Sequence, residues 1–383
     1  MKKGWAKMRI GDVCEVVAGQ SPEGKFYNSE GKGLPFYQGK KEFGEKFIEA
    51  PTTWTTQTTK IANQGDILMS VRAPVGPVNV STDEICIGRG LAAIRCGTHI
   101  SRDFLFYQLL HLQPEIAGKE GAVFASINKS EIEALPVACA PLAEQQRIVD
   151  VLDEAFAGLA TAQAHAAQNL QNARAIFESH LQSVFTHRGK GWVEATIGGA
   201  FETATGTTPP KATASYYGDF MPFVKPPELC DSGLDSAADN LSKAGSEVAR
   251  TLPPKSILVS CIGILGKIGL NTVRVAFNQQ INAILPDESK ALPELMFFQC
   301  LTSSFKEQLE GLAGGTTVPI VNKSKFNSVK IVLPPLCEQR AIVTQLYTLA
   351  AETQQLTRVY QQKLAAMAAL KNSLLRQAFN GEL

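Results

Sequence analysis

The chain has 383 residues, 44% hydrophobic and 19% charged, which suits two or three packed domains and excludes global disorder. Lysine plus arginine number 37, aspartate plus glutamate 36, and the net charge is +1. That balance gives no global sign of a nucleic-acid partner and excludes a histone-like or tail-driven binder. No apolar run reaches the roughly 18 residues of a membrane helix, and the start Met1-Lys2-Lys3-Gly4-Trp5 lacks a signal peptide's apolar stretch, so a cytoplasmic protein is expected.

Residues 1–140 read as mixed structure. The β-branched runs 67–71 and 85–95 are expected strands, separated by Gly, Pro, Asn and Thr clusters. A helix is expected over 103–112 after a Ser101 cap, and Ser130-x-x-Glu133 has capping-box spacing. From Pro141 to about 186 the only breaker is Gly158, and alanine and glutamine dominate. This predicts one helix, opened by a first-turn proline, of roughly 65 Å at 1.5 Å per residue. Residues 188–334 are mixed again, with strands expected at 257–264 and 329–333 and a helix over 294–309 after Pro293. From Pro335 to about 380 there is neither Gly nor Pro, and a second long helix is expected.

That order is a repeat of one unit. Lys3-Gly4-Trp5 recurs as Lys190-Gly191-Trp192, an offset of 187 that also pairs Ile10-Gly11 with Ile197-Gly198, Gly19 with Gly206 and Pro35-Phe36 with Pro222-Phe223. The offset grows to 190 where Ile67-Leu68-Met69-Ser70 meets Ile257-Leu258-Val259-Ser260, and to 194 where Asn128-Lys129-Ser130 meets Asn322-Lys323-Ser324. Collinear identity over so many positions marks an internal duplication. The expected domains are a head at 1–140, a long helix at 141–187, a second head at 188–334 and a second helix at 335–383.

Both helices carry apolar positions in alternating fours and threes. In the first they are Ile148, Leu152, Ala155, Leu159, Ala162, Ala166, Leu170, Ala173, Phe177, Leu181 and Val184. In the second they are Ile342, Leu346, Leu349, Thr353, Leu356, Tyr360, Leu364, Met367, Leu370 and Leu374. This reads as a coiled-coil seam with one register slip per helix. Two like units usually pack about a pseudo-twofold axis, which would make the helices antiparallel. The expected fold is α+β: two strand-rich heads separated by an antiparallel pair of long helices.

The chemistry-bearing residues argue against catalysis. The eight cysteines include no C-x-x-C pair and read as buried thiols in a reducing compartment. The five histidines form no metal spacing with them. The double prolines at 209–210, 226–227, 253–254 and 334–335 do not fit the Asp/Asn-Pro-Pro-aromatic loop of an amino-methyltransferase, and no phosphate loop is present. Pro286-Asp287-Glu288-Ser289-Lys290 reads as a turn, and Gly121 and Gly314-Gly315 read as turn glycines.

At this point the sequence resembles the specificity subunit of a Type I restriction–modification system, over essentially its full length. The resemblance rests on the openings Pro141-Leu142-Ala143-Glu144-Gln145 and Pro335-Leu336-Cys337-Glu338-Gln339, and on the helix ends Leu181-x-x-x-Phe185 and Leu375-x-x-x-Phe379. The close Leu374-Leu375-Arg376-Gln377-Ala378-Phe379-Asn380-Gly381-Glu382-Leu383 and the Pro-Phe and Ile-Leu-x-Ser patterns of the heads add to it. It implies that each head is a target-recognition domain reading one half of a split double-stranded DNA site. It also implies that the helices set the gap and dock two methyltransferase subunits, and that restriction–translocase subunits join the complex. AdoMet, ATP and Mg then belong to those partners, and this chain holds no cofactor and no metal.

On that reading the DNA-facing candidates in the first head are Tyr37, Gln38, Lys40, Lys41, Arg72 and Arg89, and in the second Lys225, Lys267, Asn278, Gln279 and Gln280. Amide side chains suit adenine and arginine suits guanine. Trp54 and residues 52–59 fit either a DNA-facing loop or a covered edge, and Asn128-Lys129-Ser130 with its twin fits a shared fold role or a phosphate. Residues 141–186 carry two Lys/Arg against five Asp/Glu, so docking of protein suits that helix better than DNA. The competing readings are a tandem scaffold whose heads bind proteins, and an enzyme, for which no paired carboxylates or nucleophile–base arrangement speaks.

Overall fold

The computed structural model describes residues 4–117, 126–315 and 317–383. Gly121, read above as a turn glycine, lies outside them. The chain divides into two units, one of Met1–Ala167 with Gln362–Leu383 and one of Gln168–Gln361. Each contains a head and a segment of both long helices, Leu142–Thr186 and Leu336–Asn380, each of 45 residues.

The heads share one α+β plan. In the first unit a four-stranded antiparallel sheet runs in the order 14–18, 91–96, 67–70, 78–80. A second sheet runs 27–28, 54–55, 34–37, 85–87, 61–62, and its pair 34–37 with 85–87 is parallel. The second unit repeats the first sheet as 203–205, 281–284, 257–260, 268–271, with 232–234 added. It repeats the second around the parallel pair 217–224 with 275–277. The matching runs Ile67–Ser70 and Ile257–Ser260 are buried at every residue, which is why they read as continuous apolar runs rather than alternating ones. Residues 85–95 hold two strands, Ile85–Ile87 and Leu91–Cys96, because Gly88-Arg89-Gly90 turns the chain between them. Trp54 lies in a strand with neighbours on both sides, so it belongs to the framework.

The helix-opening motif has a structural explanation. Gln145 is fully buried, and its amide donates to the carbonyls of His99 (2.9 Å) and Ala140 (2.8 Å) while its oxygen accepts from the N–H of Ser101 (2.7 Å). Gln339 repeats this with Lys290, Pro334 and Leu292. Each glutamine therefore fastens the first turn of a long helix to the loop entering a head helix. The Leu-x-x-x-Phe ends are apolar anchors. Leu181 and Phe185 lie in the core of the second unit with Phe297, Phe305 and Leu346. Leu375 and Phe379 lie in the core of the first with Phe104, Ile148 and Leu152. Within each unit the start of one long helix thus meets the later part of the other, as in an antiparallel pair.

Several local expectations need correction. The helix 103–112 runs Arg102–Ile116 and tolerates Pro114, and Ser101 makes no side-chain cap. The helix 294–309 is two, Pro293–Leu301 and Ser303–Leu312, because Thr302 is extended and accepts from Phe305 N–H as the cap of the second. The capping box is Asn128 with Glu131: Asn128 Oδ1 accepts from Glu131 N–H (3.0 Å) and Glu131 accepts from Asn128 N–H (2.7 Å). Asn322 caps its twin helix through Lys325 N–H (2.9 Å), so the repeated Asn-Lys-Ser serves the fold. Only Cys86, Cys261 and Cys300 are buried; Cys230 and Cys337 are exposed and Cys14, Cys96 and Cys139 are intermediate.

The helix seam also shifts. Ile148, Leu152, Leu181 and Leu346 are buried, and Leu159, Leu170, Phe177, Ile342, Leu349, Leu364 and Leu374 are partly buried. Ala162 is exposed and Gln163 turns inward instead. Leu356 and Leu370, read as seam residues, are 42% and 48% exposed, while Thr357 and Lys371 take the inward positions. The slip therefore falls earlier in each helix than apolar character alone indicates.

Candidate functional site

In each unit the second sheet ends in a cluster of turns. In the first, strands Leu34–Tyr37 and Ile85–Ile87 run parallel and Ile61–Ala62 runs antiparallel beside them. Their ends release 38–41, 88–90 and Lys60 at one edge. Hydrogen bonds hold them together: Gly88 N–H to Tyr37 O (2.8 Å), Gly90 N–H to Gln38 O (3.1 Å) and Ile87 N–H to Lys60 O (2.9 Å). Val71 N–H donates to Gly90 O (3.0 Å) and brings Arg72 to the same edge. The segment 19–22 packs across it. Gln20 N–H donates to Ile87 O, Ser21 Oγ donates to Gln38 Oε1 (2.9 Å), and Arg89 N–H donates to Ser21 Oγ (3.2 Å). A Cβ on Gly19 would stand 2.2 Å from Gly88 O, so the approach requires glycine.

The second unit builds the same edge with other side chains. Asn278 N–H donates to Val224 O (3.0 Å), Cys261 N–H to Gln280 O (2.8 Å) and Thr207 N–H to Phe277 O (3.0 Å). Thr208 Oγ1 donates to Gln279 Oε1 where the first unit has Ser21. A Cβ on Gly206 would stand 2.1 Å from Asn278 O, matching Gly19. Arg250 occupies the place of Lys60. Its N–H donates to Thr207 Oγ1 (2.8 Å) and its guanidinium donates to Thr205 O.

The structure brings Gln38, Lys40, Lys41, Arg72 and Arg89 to one edge. All five are exposed, and among the described residues no ion pair neutralises the four cations or Lys60. Tyr37 does not join them. It is buried, and its hydroxyl donates to Glu49 O (2.9 Å). Burial, with Glu42 and Asp83 adding to it, pushes its pKa up to about 12, so it stays a neutral framework phenol. In the second unit Gln279 is exposed. Asn278 is buried and turned onto Gln280: its Nδ2 donates to Gln280 Oε1 (2.8 Å) and its Oδ1 accepts from Gln280 N–H (3.1 Å). Asn278 thus shapes the turn and cannot reach outward, and the Gln280 amide is partly committed. Lys225 is held by Asp239 and lies over the Phe223 ring at 5.6 Å, so its charge is spoken for. Lys267 is half-buried in the turn between strands Ile257–Ser260 and Ile268–Asn271.

Sequence reading missed Lys60, Arg250, Ser21 and Thr208. The signal was available: the offset of 190 pairs Lys60 with Arg250, and 187 pairs Ser21 with Thr208. A cation facing a cation across otherwise divergent segments stands out once the strands beside it are known. Among the described residues no three His, Cys, Asp or Glu side chains group as a metal site would, and no helix is long and apolar enough to cross a membrane.

This is a duplicated protein whose two heads present differently equipped polar turns on one shared framework. The chain belongs to the Type I restriction modification DNA specificity domain family, whose pattern matches residues 2–169 and 189–365. It is 40% identical over 148 residues to a Methanocaldococcus jannaschii protein provisionally named the type I restriction enzyme MjaX specificity subunit, a match over 38% of this chain and 35% of that protein. The chain thus spans about a third of that relative. Over 100% of its length it is 20% identical to the type I restriction enzyme MjaIX specificity subunit of the same organism, covering 94% of it. A chain solved in work on complex assembly and conformational transition of the type I R-M system matches over 100% of this chain and 99% of its own, with a TM-score of 0.84 at 19% identity. At that identity the likeness is one of fold.

Proposed function

We propose that this chain is the DNA-specificity subunit of a Type I restriction–modification enzyme, acting on cytoplasmic DNA. Each head reads one half of a bipartite duplex target, and the long helices dock two methyltransferase subunits, which restriction–translocase subunits join. The heads are target-recognition domains at 1–140 and 188–334. The chain supplies no catalytic group; AdoMet-dependent methylation and ATP- and Mg-dependent cleavage belong to its partners.

The observation that carries this reading is the matched pair of turn clusters. Their backbone hydrogen bonds and close-packed glycines are shared, and their outward side chains differ, as two readers of two half-sites require. Lys60 and Arg250 suit phosphates, which position a protein without reading sequence, whereas the Arg89 guanidinium and the amides of Gln38 and Gln279, whose oxygens accept from Ser21 and Thr208 while their NH2 groups stay available, suit base edges. Arg72, Lys40 and Lys41 add positive charge in the first head. Exchanging residues 1–140 for the equivalent segment of a family member with a different target should change one half of the methylated sequence and leave the other intact. An exchange that alters neither half would remove the recognition role of the heads.

A further inference from the structure

The second unit carries an apolar tip beside its polar turn. Ile264 is 64% exposed, Val318 45% and Ile320 42%. Backbone contacts gather them: Gly263 N–H donates to Pro319 O (3.0 Å), Ile262 bridges Ile320, and Gly314 N–H donates to Ile320 O (2.9 Å). The tip is joined to the turn of Gln279, since Cys261 N–H donates to Gln280 O (2.8 Å). Gly263 and Gly266 hold positive φ angles of 80° and 73° at its bend, and the buried Ser260 Oγ accepts from the Lys267 N–H (2.9 Å) across it. Lys267 closes the same bend without an ion pair among the described residues, and can meet a phosphate beside whatever the tip touches.

The first unit keeps this frame and changes its surface. Val71 N–H repeats the bond of Cys261, donating to Gly90 O, and Arg72 bridges Ser126 where Ile262 bridges Ile320. Pro74 stands where the second unit has Ile264. The position is therefore cationic and polar in one head and aliphatic in the other. A surface used alike by both heads would not diverge so, and an exposed aliphatic cluster beside a polar turn suits an apolar group on the partner. On duplex DNA the apolar group in the major groove is the thymine C5-methyl.

We infer that Ile264, Val318 and Ile320 are specificity residues that contact thymine methyl groups in the half-site read by the second unit. The inference rests on the DNA-specificity reading above. Its test uses the full chain assembled with its methyltransferase subunits and a duplex carrying the methylated target, with deoxyuridine replacing thymidine one position at a time. Deoxyuridine keeps the pairing edge and removes only the methyl. At least one replacement in that half-site should weaken binding about fourfold, the change expected for one buried methyl-sized group. Ile264→Ala or Ile320→Ala should weaken binding to the thymidine duplex and abolish the deoxyuridine effect there, leaving replacements in the other half-site unaffected. Both side chains are exposed, so neither variant threatens folding. A flat scan with specific binding intact, a half-site without thymine, or an effect that persists in both variants would overturn the inference alone. Absence of any sequence-specific binding would overturn the underlying reading as well.

Discussion

A cation that holds one position in both heads, while its neighbours diverge, serves what the heads have in common. Lys60 and Arg250 stand at the same strand edge, each beside the turn that differs. A phosphate contact fits that role. Lys60→Ala or Arg250→Ala should therefore weaken DNA binding across all sequences and lower the salt-dependence slope by about one each, measured by titrating binding against salt. The same variants should leave the methylated motif unchanged, and a changed motif would place them at bases instead. At this scale the sequence exposed residue type better than residue orientation. Tyr37 and Asn278 have the chemistry of base readers, but both are turned inward by hydrogen bonds that residue type does not reveal, Tyr37 to the Glu49 carbonyl and Asn278 to Gln280 two residues on. Lys225 has the right charge too, but Asp239, fourteen residues on, pairs with it.

Elements join through a few polar and aromatic fasteners. Gln145 and Gln339 each satisfy three backbone groups in a buried setting. Gln145→Ala would strand a buried N–H and carbonyls, each at about 1–3 kcal/mol, and the midpoint of denaturation should fall accordingly. Glu in place of Gln145 cannot donate and should not restore it. A second junction differs between the copies. In the first unit Lys46 lies 3.3 Å from Asp103 and 3.1 Å from Asp153, and Tyr107 donates to Asp153. In the second, Phe298 packs on Tyr347 at 4.9 Å at the matching place. Burial works against Asp103 ionising, but the hydrogen bonds from Arg102 and Lys46 outweigh it and hold its pKa below the ordinary carboxylate range. A depressed folded pKa gives stability that is present above the unfolded pKa and lost as pH falls through the folded one. The stability gap between wild type and Asp103→Asn should thus narrow from about pH 7 to about pH 3. A gap that widens on acidification would contradict the assignment. The long helices were legible from composition alone, since nothing in 142–186 or 336–380 except Gly158 interrupts them. Their facing was not, because alanine and polar residues blur the stripe near each slip. Lys371 turns inward by laying its stem along the helix partner, with its ammonium 5.1 Å from the Phe156 ring, while the more apolar Leu370 faces out.

At the scale of the whole chain the duplication is the most informative feature. It was legible in full, because framework glycines, capping asparagines and helix anchors must recur wherever the same backbone recurs. Gly19 and Gly206, Asn128 and Asn322, and Gln145 and Gln339 each mark such a site. What diverges between the copies, Arg89 against Gln279 and Arg72 against Ile262, lies at the outward edge of each head. In the proposed reading this divergence encodes two half-sites of one DNA target. Mapping DNA methylation across the host genome with and without this chain tests it most directly. A single two-part motif should lose its methylation when the chain is removed and regain it when the chain returns. Unchanged methylation at every motif would contradict it.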